Sequence, residues 1–325
     1  MTQSILDSSP EELLMQQVFY PEMTRRIGEV ARSNSKFVHY TSAEVAVSII
    51  QKRSIWMRNA ITMNDFSEIE HGLRCIHAVW DAPVGKRFQA AIDAIHGGST
   101  ATVVEQFDSW QHDMRHSTFL TCISEHPQAE DRHGRLSMWR AYGGRSGVAL
   151  VLNLDPFLAA TDDLKAYSSP VLYADEALFA EHLLKVAGQL EVHRDVIAKH
   201  GRLYLEANIF HALRFAALCT KHHAFEEERE WRVVYSPNLA ASPAIEPSVE
   251  TVRGIPQVVQ KLPLVDRPEH GLHRADIPNI LHKVIIGPTE DVLAVHGAFV
   301  VLLREAGVPN PEERIHVSGI PLRQF

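Results

Sequence analysis

Two periods run along this chain, one near 3.6 and one of 2, and the handovers between them mark its elements. Ser9-Pro10-Glu11-Glu12 reads as a helix start: a capping serine, proline at the first position and acids in the first turn. Pro21 interrupts or restarts that helix. Phe37-Val38-His39-Tyr40 is a short extended run, and Thr41 with Glu44 has capping-box spacing for a helix over 45–51. Ile55-Trp56-Met57 is extended again, and Asn64 or Asp65 caps a helix through Ile69 towards Trp80. Residues 88–95 and 103–114 carry helical spacing, as does most of 175–220. Residues 118–124 and 148–152 read as strands, and Val284-Ile285-Ile286-Gly287 as a buried strand. A helix over 292–305 is ended by Gly307 and Pro309, before a last short strand at Ile315-His316-Val317. The prolines in 237–256 predict a long connection or a lid.

Strands and helices mix without regular βαβ alternation, so the expected class is α+β with a mixed or antiparallel central sheet. The organisation read from the pattern is an N-terminal helical segment, 1–35, then one α+β domain, 36–325. Helical insertions interrupt that domain at about 65–115 and 175–220. With 325 residues and 45% hydrophobic content, the chain can bury a sizeable core. The net charge of −8 argues against broad nonspecific nucleic-acid binding, a local basic groove aside. No apolar run has the length of a membrane span, and the first residues lack a signal-peptide pattern, so a cytoplasmic chain with no membrane partner is expected. Cys75, Cys122 and Cys219 are widely spaced, without CxxC, and read as buried free thiols.

The chemistry concentrates in Lys221-His222-His223-Ala224-Phe225-Glu226-Glu227-Glu228-Arg229-Glu230-Trp231-Arg232. This charged run ends inside the strand-like Trp231-Arg232-Val233-Val234-Tyr235, which a solvated tract rarely does. On a strand, Glu228, Glu230 and Arg232 share one face, opposite Arg229, Trp231 and Val233. That face is either a functional site or a cross-strand ion-pair network. His39, Tyr40 and Thr41 sit where a strand hands over to a helix N-terminus, a place suited to a ribose hydroxyl or a phosphate, or to a core histidine bonded to backbone. Trp139-Arg140-Ala141-Tyr142-Gly143-Gly144 combines flat rings, a guanidinium and glycines. Trp139 reads as core and Tyr142 as the ring available for stacking. Glu68 and His71 share a helix face, but no second such pair completes a bundle-type metal site. GxGxxG after a strand, GxxxxGK[ST], HExxH and GxSxG are all absent, which sets aside the common nucleotide folds, zinc proteases and α/β-hydrolases.

Taken together, His39-Tyr40-Thr41-Ser42, Ile55-Trp56-Met57, Met63-Asn64-Asp65 with Glu68, Thr121-Cys122-Ile123-Ser124, Met138 to Tyr142, Gly147-Val148, the Lys221 to Arg232 run and Ile285-Ile286-Gly287-Pro288 resemble a bacterial family, Domain of Unknown Function 2971. More distantly, the order His39, Tyr142, Glu228-Arg229-Glu230 is similar to ADP-ribosyltransferases, which place a His early, an aromatic midway and a Glu or Glu-x-Glu late. The middle aromatic is either Trp139 or Tyr142, either glutamate can be the key one, and a Ser-Thr-Ser strand is absent. That resemblance implies an ADP-ribosyltransferase-like fold and cleavage of NAD, used as substrate with no metal. It also implies an unknown macromolecular acceptor, protein or nucleic acid, and a toxin, effector or antiphage context. The roles it implies are Glu230 beside the cationic ribose, Glu228 orienting or deprotonating the acceptor, and His39 on the other ribose. Tyr142 would stack on nicotinamide, with Tyr40, Thr41, Asn64, Arg140 and Arg232 around the nucleotide. Two other classes compete: a metal-dependent nuclease or hydrolase around Asp65, Glu68 and His71, and a noncatalytic nucleotide-sensing module. The transferase reading requires His39, Tyr142 and Glu230 to converge.

Overall fold

A computed structural model describes residues 8–62, 67–158, 162–252 and 254–321 of the protein. In it the first helix, α1 (Pro10–Phe19), starts on a capping box: Ser9 Oγ accepts from the Glu12 amide and the Glu12 carboxylate accepts from the Ser9 amide. Pro21 restarts the chain as α2 (Pro21–Arg32). Strand β1 (Lys36–Ser42) runs directly into α3 (Ala43–Lys52), whose cap is Ser42, its Oγ 3.3 Å from the Val45 amide. The expected Thr41 cap is thus displaced by one residue, and Thr41 stays in the strand opposite Val148. Then follow β2 (Ser54–Asn59), α4 (Ser67–Trp80), α5 (Pro83–Ile95), α6 (Ser99–His116) and β3 (Phe119–His126). The middle of the chain holds α7 (Leu136–Tyr142), β4 (Gly147–Leu152), β5 (Ala166–Pro170), β6 (Leu172–Tyr173), α8 (Glu176–Lys199), α9 (Arg202–Leu218) and β7 (Thr220–Lys221). The last part comprises β8 (Glu230–Tyr235), β9 (Glu246–Val252), β10 (Ile255–Pro263), α10 (Ile277–Ile280), β11 (Leu281–Ile286), α11 (Val292–Glu305) and β12 (Ile315–Val317). The expected connection or lid over 237–256 is strand only in its second half, where β9 folds back on β10 as an antiparallel hairpin.

The fold is α+β. Ten strands form one open, mostly antiparallel sheet in the order β12-β11-β4-β1-β3-β2-β10-β9, with β8 on the other edge of β3 and β5 beyond it. The pair β11–β12 is parallel, and β6 with β7 makes a separate two-stranded parallel sheet. β3 is the branch point. Along one edge it pairs β8 throughout; along the other, β1 holds Ser124 to His126 and β2 holds Phe119 and Leu120. Between them the sheet forks, and the β3 residues at the crotch have no registered partner on that side.

The helical stretches flanking β3 and β4, far apart in sequence, make one layer: α5 packs on α8 and α6 on α9. Their apolar faces close over Leu120 and Val234 of the sheet. On the opposite side, α2, α3 and α11 cover Phe37, Ile123, Val148 and Trp231. Trp139 of α7 is fully buried, meeting Tyr40 edge-on at 4.8 Å and donating its Nε1–H to the His133 carbonyl at 2.8 Å. Three glycines make room for it. A Cβ on Gly134 would lie 2.9 Å from the indole, one on Gly147 3.1 Å, and one on Gly287 2.7 Å. Trp139 is therefore a core residue, and the stacking candidate on α7 is Tyr142. Among the described residues no helix is long and apolar enough to cross a membrane.

Candidate functional site

The site is assembled on β8. Glu230 lies opposite Ser124, and Arg232 opposite Cys122, so the two side chains share one face. Arg232 Nε donates to Glu230 Oε1 at 2.9 Å and Nη2 reaches Oε2 at 3.4 Å. Arg232 Nη1 donates to the Leu218 carbonyl at the end of α9. From below comes Lys221, held in place because β7 pairs with β6. Its Nζ lies 3.2 Å from Glu230 Oε2 and 2.7 Å from Glu228 Oε2, over the Phe225 ring at 4.7 Å. The Glu230 amide donates to the Tyr173 hydroxyl at 2.7 Å. Arg232, Glu230 and Lys221 are all buried. Such charges are tolerable only when each is met by its opposite and its remaining hydrogen-bond capacity is used, which is the case here. Burial alone would raise the Glu230 carboxyl; the Arg232 and Lys221 cations outweigh it and pull it down to about 2. Glu230 is thus ionised across the physiological range.

Glu228 arrives by a different route from the one the pleat predicts. It closes a 3₁₀ turn over 223–228, and Arg229 then takes a left-handed conformation, φ 44°, before the strand begins at Glu230. Strand alternation therefore does not set its direction; the Lys221 ammonium does, by bridging the two carboxylates. Glu228 is half-buried where Glu230 is sealed, and its Oε1 accepts from the Tyr142 hydroxyl at 3.5 Å. Tyr142 is 37% exposed, and burial of its hydroxyl together with the Glu228 charge raises its pKa, so it stays a neutral donor.

His39 stands at the fork. β1 leaves β3 after Val38, and His39 Nδ1–H donates to the Cys122 carbonyl at 2.9 Å. A carbonyl only accepts, so the neutral ring keeps its lone pair on Nε2. Burial lowers the His39 pKa, against the pull of that bond, so the ring is neutral at pH 7. Cys122 completes the link, since its side chain hydrogen-bonds Glu230. His39, Glu230, Glu228 and Tyr142 therefore form one connected chain of contacts, with Cys122 as an intermediate.

Other expected residues fall elsewhere. Tyr40 is buried against Trp139 and its hydroxyl accepts the Arg135 amide at 2.8 Å, which corrects its expected nucleotide contact to a structural role. Burial pushes its hydroxyl up to about 12. Arg232 braces Glu230 and the end of α9, which leaves its guanidinium occupied. Thr41 is half-buried in β1, and Arg140 is exposed on α7. Asn64 and Asp65, and the side chain of Glu68, lie outside the described residues. His71 uses Nε2 on the Ala174 carbonyl at 2.8 Å. Among the described residues no cluster of three His, Cys, Asp or Glu side chains is arranged to hold a metal ion. Two cavities, of about 480 and 340 Å³, are lined by other residues than those of the carboxylate cluster.

Sequence reasoning assigned no role to Lys221, Tyr173 or Cys122. For Lys221 a signal existed: a lone cation placed just before an acid-rich run and just after an apolar helix.

Residues 138–233 match the family described as Protein of unknown function (DUF2971). That span holds Tyr142, Lys221, Glu228, Glu230 and Arg232, and ends inside β8; His39, Tyr40, Thr41 and Asn64 precede it. No curated protein and no solved structure matches the chain.

Proposed function

We propose that the protein is an NAD-cleaving enzyme of the ADP-ribosyltransferase type, with Glu228 as the carboxylate that meets the sugar. The carrying observation is the graded pair: Glu230 sealed and doubly paired, Glu228 half-buried beside an exposed tyrosine and linked to it through Lys221. Cleavage of the nicotinamide–ribose bond builds positive charge on the sugar, while nicotinamide departs with the bonding electrons. A fixed, ionised carboxylate beside the ribose stabilises that charge, and a carboxylate nearby accepts the proton that the attacking hydroxyl loses. In this reading Glu228 supplies the carboxylate, Lys221 and Glu230 hold it in place, Tyr142 offers its ring for stacking, and His39 Nε2 accepts from a ribose hydroxyl. The attacking oxygen comes from a macromolecular acceptor or from water. The shared family carries no activity with it, so the reading rests on this geometry and on the resemblance of residue order.

The test is release of labelled nicotinamide from NAD, with and without cell extract as acceptor. The expected result is turnover that Glu228→Gln lowers by about 10² or more, with the fold retained. A noncatalytic nucleotide sensor is the second reading, favoured by the saturation of Glu230; it predicts an NAD-dependent rise in Tm with no product. Neither product nor thermal shift would overturn both.

A further inference from the structure

The larger cavity, about 480 Å³, lies between α8, α9 and the edge strand β5, and its size is ordinary for a small-molecule site. Phe19 and Met23 line it from the corner between α1 and α2, Tyr167 from β5, Phe179 and Val186 from α8, and Phe215 from α9. Five segments distant in sequence thus turn aromatic and aliphatic side chains towards one chamber. Such a surface gains most from a guest that is itself apolar.

The charges around the chamber narrow the guest further. Among the described wall residues there is no lysine and no arginine. The two wall carboxylates are already committed: Glu22 to Arg25, and Asp162 to Lys165 and Tyr167. Arg214 of α9 is buried at 2% exposure with its Nη2 on Ser236 Oγ at 2.8 Å, and it is not a wall residue. The wall histidines, His182 and His211, are half-buried, and burial lowers both, so their rings are neutral at pH 7. Neither ring makes a hydrogen bond with a described residue. A neutral imidazole carries one donor and one acceptor. The chamber thus offers apolar surface and two uncharged polar rings, with no counter-ion for a charged guest.

We propose that this cavity binds a neutral small molecule with an apolar body and a single hydroxyl or carbonyl, the polar group meeting the imidazole of His182 or His211. A carboxylate or an ammonium would leave water with no opposite charge on the wall to receive it, and a polyol would bring more hydroxyls than two rings can satisfy. The proposal is independent of the NAD-cleaving reading, since no residue of the carboxylate cluster lines this chamber.

The test is calorimetric titration of the full chain with decanol, decanoate and decylamine. The expected result is saturable one-site binding of decanol, with decanoate and decylamine each about tenfold weaker or worse. Val186→Trp on α8 and Ala216→Phe on α9, which fill the chamber from two walls, each weaken decanol about tenfold or more. Leu184→Trp, at an exposed position of α8 outside the wall, leaves its binding unchanged. His182→Leu combined with His211→Leu lowers the affinity for decanol about fivefold. Folding of each variant is checked by its urea midpoint. Decanoate or decylamine binding as tightly as decanol, decanol affinity unchanged in a folded filling variant or in the histidine double variant, or no saturable binding of decanol would overturn it.

Discussion

Arg232 and Arg214 are two guanidinium groups buried under the same helical layer, and they are treated in opposite ways. Arg232 spends its donors on Glu230 and the Leu218 carbonyl, inside a cluster where Lys221 balances the remaining acid. Arg214 has one hydroxyl and a neutral surround. The cost of removing a charge from water is similar in both places. Only at Arg232 does the protein itself return it, so the first cluster is a self-sufficient piece of architecture, whereas Arg214 keeps a buried charge that no carboxylate among the described residues meets. Glu228 stands at the edge of the first cluster, half-buried and paired with Lys221.

That contrast can be broken at its strongest point. Glu230→Ala leaves Arg232 and Lys221 facing each other in a buried site, and a loss of about 3–5 kcal/mol in urea unfolding is expected; a loss under about 1 kcal/mol would mean the cluster is hydrated and the contrast false. Lys221→Met should cost less, about 1–3 kcal/mol, because Arg232 still meets Glu230, while nicotinamide release falls as Glu228 loses its anchor. Acid titration separates the surroundings of the two arginines. The folded Glu230 pKa, about 2, lies below its ordinary value of 4.5. Its ionised form therefore adds stability above pH 4.5, and this is lost as pH falls from 4.5 towards 2. Glu230→Gln should flatten that limb of the stability profile, whereas Arg214→Met should leave its shape unchanged. Arg214→Met itself is expected to unfold within about 1 kcal/mol of the parent or later than it, measured by the same urea midpoint. The smallest effect on stability belongs to Glu228→Gln, about 0.5–1 kcal/mol, against the large loss of turnover expected of it; equal losses in both would reduce Glu228 to a structural group.

Much of the fold was legible because local chemistry dictates it. Ser9 with Glu12 announces α1, Pro21 announces α2, and the apolar period of 292–305 gives α11 to the residue. What could not be read were features that long-range pairing decides. β7 is two residues long and exists because β6 lies beside it; Lys221 points at Glu230 for that reason alone. The fork at β3 follows from which strands claim its edge, and no local pattern around Cys122 records it. The misplacement of Glu228 has a sharper cause. Period-2 reasoning assumes an unbroken strand, and Arg229, a non-glycine residue at positive φ, breaks it one step too late to be seen from composition. Arg214 did leave a trace: it is the one full charge between Phe210 and Leu218, where helix spacing places a buried face.

The Trp139 indole touches three glycines from three separate segments, and the consequence reaches beyond this chain. Any relative sharing the arrangement can place a side chain at position 287 only by shrinking the residue at 139, whereas at 147 an added Cβ would in addition lie 2.8 Å from the Gly143 Cα. Substitutions at these sites should therefore travel as a set, and an alignment in which tryptophan at 139 tolerates bulky neighbours at 287 would mean that the strand carrying Val284 to Ile286 packs differently in that branch.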